Sequence, residues 1–208
     1  MKSIELAFSK FFGFEFNDKL GKAIITNINP IYNNLIEKGK IVSKNKGFYE
    51  NCEIYINNNK YFIVKITPGN AIIDIVRLLK NSIESICLIG IAGSLNEKFQ
   101  IGDIIVPVNS LYEDDLLEKV NFSYSPYQNG TICQVDGLIK SDSFYEKLKE
   151  MHVDFVDMES YYLSKMCSVM NINSKVISII SDKPLTKPFY KIDFNVNFDI
   201  DKIISYLD

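Results

Sequence analysis

Three short stretches of this chain carry side chains whose types and spacing suit site chemistry. Asp157-Met158-Glu159 follows an apolar run and opens a helical period, and Asp182 follows the apolar run 175–180, just ahead of Pro184. In α/β sheets ligands sit beyond the carboxyl ends of the strands, so residues directly after apolar runs are the first to inspect. An ionised carboxylate such as Glu159 can accept two hydroxyls of a ribose, and Met158 beside it offers an apolar surface to the carbon face of that ring. Asp182 would serve as a general acid if its surroundings raise its pKa. The third stretch is Gly90-Ile91-Ala92-Gly93-Ser94, where glycines after a buried strand let backbone N–H groups approach an anion or a sugar.

Each stretch also has a purely structural reading. Asp157 caps the following helix, and Glu159 in its first turn is favoured by the helix dipole. Asp182 is a turn aspartate, and the glycine stretch is a structural turn. A dinucleotide loop is disfavoured, because the full glycine spacing and the following helix are both missing.

The elements that must position these residues follow from periodicity. Residues 22–28 read as a strand and 30–38 as a helix behind it. Residues 52–56 and 61–66 alternate around Asn57-Asn58-Asn59, a hairpin signal because asparagine tolerates positive φ. From 69 to 80, Ile72, Ile75, Val76 and Leu79 recur at helical spacing with Arg77 on the opposite, solvated face. Residues 85–91 and 104–106 are strand-like, with Ala92-Gly93-Ser94 as a turn between them. Residues 112–128 read as a long irregular, mobile loop. Strands follow at 131–135, 153–156 and 175–180, and helices at 143–149, from 158 to about 170, and 199–207. Ser143 and Glu146 have capping-box spacing. The alternation predicts an α/β fold, a three-layer sandwich with a central mixed, twisted sheet covered by helices on both faces.

The 208 residues suit one well-buried domain, 1–208, and the composition of 47% apolar and 24% charged residues is that of a soluble globular protein. A net charge of -3, scattered lysines and a single arginine, Arg77, argue against a nucleic-acid partner. The phenylalanine-rich N-terminal stretch 1–20 is interrupted by Lys2, Glu5, Lys10, Glu15 and Asp18 before any apolar run reaches membrane-span or signal length. No membrane partner and a cytoplasmic location are therefore expected. Cys52, Cys87, Cys133 and Cys167 have neither zinc nor redox spacing and read as buried free thiols. Neither a metal nor a cofactor is implied.

Taken in order, the motifs resemble the nucleoside phosphorylase and nucleosidase family. The blocks are Thr67-Pro68-Gly69-Asn70-Ala71, Gly90-Ile91-Ala92-Gly93-Ser94-Leu95 with Gly102-Asp103-Ile104-Ile105-Val106-Pro107, Val156-Asp157-Met158-Glu159-Ser160, and Ile180-Ser181-Asp182-Lys183-Pro184-Leu185. Each block alone is weak; four in sequence at family-like spacing, over about 22–191, are strong. The last two blocks, with Tyr112-Glu113-Asp114-Asp115, are most similar to AMP nucleosidase, whose additional domain a chain of this length has no room for.

The resemblance implies cleavage of the N-glycosidic bond of a purine nucleoside or nucleoside monophosphate. It implies Asp182 as the acid that protonates the purine at N7, Glu159 on the ribose 2′- and 3′-hydroxyls and Met158 beneath the sugar. Leu138 and Ile139 fall against the base, with Gly93, Ile91, Ser181 and Lys183 completing the substrate contacts. It also implies a homo-oligomer, and water or phosphate as co-substrate. The chain departs from the family on the nucleophile side, where arginines, a hydroxyl and an N-terminal glutamate are expected. Here Ser178 stands four residues before Asp182, Ile91 occupies the hydroxyl position, and Asn27, Asn29 and Ile31 surround Pro30. Lys183 and Lys65 are the remaining cation candidates. Hydrolysis is favoured, with phosphorolysis at an atypical phosphate site or nucleoside binding without cleavage as alternatives.

Overall fold

The computed structural model describes residues 2–15, 19–191 and 197–207. Its first half runs α1 (Lys2–Phe12), β1 (Gly21–Thr26), α2 (Asn29–Lys38), β2 (Lys40–Lys46), β3 (Glu50–Ile56), β4 (Asn59–Lys65), α3 (Ala71–Leu79) and β5 (Ile83–Ser94). The second runs β6 (Ile104–Ile105), β7 (Asn109–Tyr112), β8 (Asp115–Asn121), β9 (Thr131–Gln134), α4 (Asp142–Glu150), β10 (Phe155–Asp157), α5 (Ser160–Val169), β11 (Asn173–Asp182) and α6 (Ile200–Ser205). Among the described residues the strands form one mixed eleven-stranded sheet, ordered β2-β3-β4-β1-β5-β10-β9-β7-β8, with β11 paired to β5 and β6 paired to β11.

Alternation along the central strands feeds two apolar layers, as a period of two requires. Ile24 joins a cluster with Ile63, Ile89 and Ile177, closed by Ile31, Tyr32 and Leu35 of α2 and by Ile203 of α6. Its neighbours Ala23 and Ile25 face the other way, into Phe8 and Phe12 of α1, Ile72 and Ile75 of α3, and Leu163 and Cys167 of α5. Tyr145 and Leu148 of α4 cover Cys133, Val135 and Val156 in a third cluster. A fully buried side chain of this kind contributes about 1.5–3 kcal/mol. The expected three-layer α/β sandwich is the observed one. The four cysteines are buried and unpaired. No helix among the described residues is long and apolar enough to cross a membrane.

The hairpin at Asn57-Asn58 has both residues at positive φ, 48° and 65°, as its turn demands. Several local expectations need correction. Ala92-Gly93-Ser94 is not a turn: β5 continues through Ser94, because β10 and β11 both pair with it there. The stretch 112–128 begins as a hairpin, β7 to β8, extending the sheet beyond β9. Its outer strand β8 is largely exposed and charged, which hid its alternation. The helix after β10 starts at Ser160, so Glu159 is its N-cap residue and not part of its first turn. Ser141, not Ser143, caps α4, accepting the N–H of Phe144 at 3.3 Å. The helices α1 and the edge strand β2 had no clear signal. Asp18 lies outside the described residues.

One feature of β5 creates the site. Strand β1 accompanies β5 as far as Ile89, and β10 joins it only at Gly93. Over Gly90, Ile91 and Ala92 its ladder partner among the described residues is β11. The sheet therefore opens beside these residues, at the ends of β1, β10 and β11.

Candidate active site

A cavity of about 280 Å³ occupies that opening. Ile91, Ala92 and Gly93 of β5 form its floor, Asn27 and Ile28 flank it after β1, and Asp157, Met158 and Glu159 enter from the β10–α5 junction. Ser181 and Asp182 come from the end of β11, while Pro68, Leu138 and Phe189 close the rim. Four distant segments thus converge at strand ends, where open α/β sheets hold ligands.

Gly93 is required by space. A Cβ there would lie 2.8 Å from Pro184 Cγ and 3.1 Å from Val156 Cγ2. Its absence lets the turn after Asp182 pack directly onto β5, a different service from the anion cradle that glycines suggest.

Asp182 is buried, and its two oxygens have separate partners. Ser181 Oγ donates to Oδ1 at 2.7 Å, with Ala92 O at 3.2 Å as its other acceptor, and the Phe189 N–H donates to Oδ2 at 3.2 Å. Burial pushes its pKa above the usual aspartate value, and these two donors oppose the rise. That combination is what a general acid needs: a neutral form favoured by the surroundings, and donors ready to stabilise the anion once the proton has left.

Glu159 Oε1 accepts the Gly69 N–H at 2.8 Å and Asn27 Nδ2 at 3.1 Å, which leaves acceptor capacity on Oε2. Gly69 has φ +85°, a backbone conformation that suits glycine, and the loop ahead of α3 thereby turns this N–H toward the carboxylate. Burial raises the Glu159 pKa, and the Gly69 and Met158 N–H groups and the Asn27 amide pull it back. Asp157 is different. Both its oxygens are taken by Ser160, Oδ1 by the hydroxyl at 2.6 Å and Oδ2 by the N–H at 3.0 Å. It caps the start of α5, and burial followed by the nearby Glu159 charge pushes its pKa well up.

Of the residues singled out from the sequence, Met158, Glu159, Gly93, Ile91, Leu138, Ser181 and Asp182 all line this one cavity. Ile139 sits next door, largely exposed, in a shallow recess shared with Tyr145, Pro188 and Tyr190. Lys183 turns away: its Nζ pairs with Glu97 at 3.1 Å, because successive residues at the end of a strand point to opposite sides. Lys65 pairs with Glu50 at 2.5 Å. Neither lysine lines the cavity. Sequence reasoning gave no role to Gly69, Ile28, Pro68 or Phe189; of these only Pro68-Gly69 carried a signal, as part of a family-like block.

No family model matches the chain. A 5′-methylthioadenosine/S-adenosylhomocysteine nucleosidase of Buchnera aphidicola is 29% identical over 192 aligned residues, covering 74% of this chain and 80% of the relative. Among solved structures, an S-adenosylhomocysteine nucleosidase from Streptococcus pyogenes, in complex with 5-methylthiotubericidin, superposes with a TM-score of 0.77 at 13% identity, over 91% of this chain and 96% of that one. A futalosine hydrolase of Helicobacter pylori gives 0.68 at 16% identity, over 83% and 89%. The solved structures establish the shared fold. The chain has the nucleoside phosphorylase-like α/β fold that these nucleosidases share.

Proposed function

We propose that this protein hydrolyses the N-glycosidic bond of a purine nucleoside whose 5′ end carries no phosphate. The observation that carries the reading is the lack of a cation in the cavity: the acids Asp157, Glu159 and Asp182 line it, and no lysine or arginine does among the described residues. A phosphate dianion, whether a co-substrate or the 5′-group of a nucleotide, would enter a low-dielectric space facing carboxylates without a cation to hold it. Water and a neutral nucleoside meet no such penalty. The Buchnera relative, named for 5′-methylthioadenosine and S-adenosylhomocysteine, points the same way.

The chemistry assigns one task to each side chain. Asp182 gives its proton to N7 of the base as the C1′–N9 bond breaks and the bonding pair moves into the purine. The Ser181 hydroxyl and the Phe189 N–H then stabilise the carboxylate left behind. Glu159 accepts the ribose hydroxyls and fixes the sugar while positive charge develops on it, as oxocarbenium-like states require. Met158 packs under the ring, Leu138 and Phe189 against the base. Water adds at C1′ and loses a proton to the solvent, from which the Asp182 carboxylate regains the proton it gave to the base. A homo-oligomer, on the family resemblance, completes the reading.

The test is a panel of purine and pyrimidine nucleosides, their monophosphates and 5′-methylthioadenosine, with and without phosphate, with released base followed by chromatography. Release from nucleosides without phosphate is expected. Release only with phosphate would make the protein a phosphorylase, and binding without release would leave a non-catalytic nucleoside binder.

A further inference from the structure

We propose that Asn27 is the positioning residue that holds the Glu159 carboxylate for the sugar, a role that rests on the reading of Glu159 above. Asn27 stands just past the end of β1, where that strand parts from β5. Its Nδ2 donates to Glu159 Oε1 at 3.1 Å, between residues 132 positions apart in the chain. Its Oδ1 is buried and takes no hydrogen bond.

That unpaired oxygen is informative. Leaving a buried carbonyl without a donor costs about 1–3 kcal/mol, and an apolar side chain of similar shape would avoid the cost. That cost offsets much of what the Nδ2 bond adds to the fold, so fold stability alone is a weak reason for an amide here. The donor it presents to Glu159 is the stronger one, and the carboxylate also fixes which way the amide faces, since the reverse orientation would set two acceptors against each other. The groups around Glu159 leave few substitutes. Asp157, from the end of β10, is another acid with both oxygens engaged by Ser160, and the cavity lining holds no cation among the described residues. Neutral donors are what remain: the Asn27 amide and the N–H groups of Gly69 and Met158. Two of them are backbone, and Asn27 is the side chain among them. With Oε1 anchored by Gly69 and Asn27, the carboxylate cannot rotate freely, and Oε2 is presented at a fixed angle to the cavity.

The experiment compares wild type with Asn27→Leu, Asn27→Asp and Glu159→Gln. Adenosine, inosine and 5′-methylthioadenosine serve as ribose-bearing probes and free adenine as the base-only control; affinity, the pH profile of kcat/KM and thermal melting are measured. Asn27→Leu should melt close to wild type, the lost Nδ2 bond and the removed unpaired oxygen nearly cancelling, and should bind the ribose-bearing probes about tenfold more weakly, because the carboxylate is no longer held for the sugar hydroxyls. Adenine affinity should not change. The acid limb of kcat/KM, where Glu159 becomes protonated, should move to higher pH, because a donor to the charged form has gone. Asn27→Asp keeps the shape and should move that limb further, since two carboxylates in contact share a proton. A lower melting temperature with unchanged affinity and an unmoved acid limb would make Asn27 merely structural and overturn the proposal. If Glu159→Gln weakens the ribose-bearing probes and Asn27→Leu does not, Asn27 alone is misassigned. If Glu159→Gln leaves their affinity intact, or wild type binds none of the probes, the reading of Glu159 itself fails.

Discussion

Glu113 Oε1 accepts the backbone N–H of Asp136 at 2.7 Å, and Oε2 of the same carboxylate meets Lys140 Nζ at 2.6 Å. One side chain in the β7–β8 turn therefore grips both ends of the 136–140 loop, whose middle residue, Leu138, lines the cavity. Tyr145 Oη donates to Leu138 O at 2.8 Å, and Tyr112 Oη to Asp136 Oδ2 at 2.7 Å, tying down the loop from two further sides. Replacing Glu113 by alanine should loosen this wall and raise KM by about tenfold, from two lost hydrogen bonds that involve a charge. Glutamine, which can still accept the Asp136 N–H, should restore part of the loss. Steady-state kinetics on both variants decides; an unchanged KM in Glu113→Ala would mean that the wall holds itself.

Asp182→Asn should lower kcat by about 10²–10⁴, the usual range for loss of a general acid, while nucleoside affinity largely persists. Turnover at the wild-type rate would remove Asp182 from its role. Ser181→Ala tests the same group more finely. The hydroxyl favours the ionised form, so its loss should raise the Asp182 pKa further. In the proposed role Asp182 acts protonated and activity falls as pH rises through its pKa; the basic limb of the pH profile in Ser181→Ala should therefore lie at higher pH than in wild type.

Burial raises the pKa of Asp157 in the folded chain, so between the unfolded value near 4 and the raised folded value the native state holds a proton that the unfolded state has lost. Stability must fall with rising pH across that window and level off above it. Asp157→Asn removes this dependence while keeping an acceptor for the Ser160 N–H. Its melting temperature should match wild type near pH 4 and exceed it at pH 8. Parallel melting curves from pH 4 to 8 for the two proteins would show that Asp157 adds nothing to the slope.

Gly93→Ala places a methyl 2.8 Å from Pro184 Cγ. Overpacking of this kind costs about 1–3 kcal/mol. Because Pro184 follows Asp182 by two residues, the strain should also displace the acid, lowering kcat more than it raises KM. Denaturant unfolding and kinetics together check both halves.

Much of the site could be read in the sequence because its signals are local. Asp182 and Glu159 each stand at the end of an apolar run, and strand ends are where such folds keep their ligands. The glycines at 90 and 93 could not reveal their own purpose: a glycine that frees a turn and one that admits a neighbouring proline look the same in one dimension. Strand β8 escaped because only Val120 of its seven residues is buried, so its alternation barely exists. Asn27 and Gly69 reach Glu159 across 132 and 90 residues, and Lys183 points out of the cavity for reasons of strand pleat. Pairings of that kind follow from the assembled sheet and leave no local pattern.

Gly93 has Val156 as its partner on one ladder and Asp182 on the other. The strands that lead to Glu159 and to Asp182 therefore meet on a single residue of β5, and each is made long after it. Ladders between such distant segments form slowly, since the intervening chain must close first. During synthesis β5 waits with an isoleucine-rich edge uncovered until β11 emerges, and an exposed edge of this type invites pairing between chains. The last step that completes the pocket is the same step that hides the most adhesive part of the nascent protein.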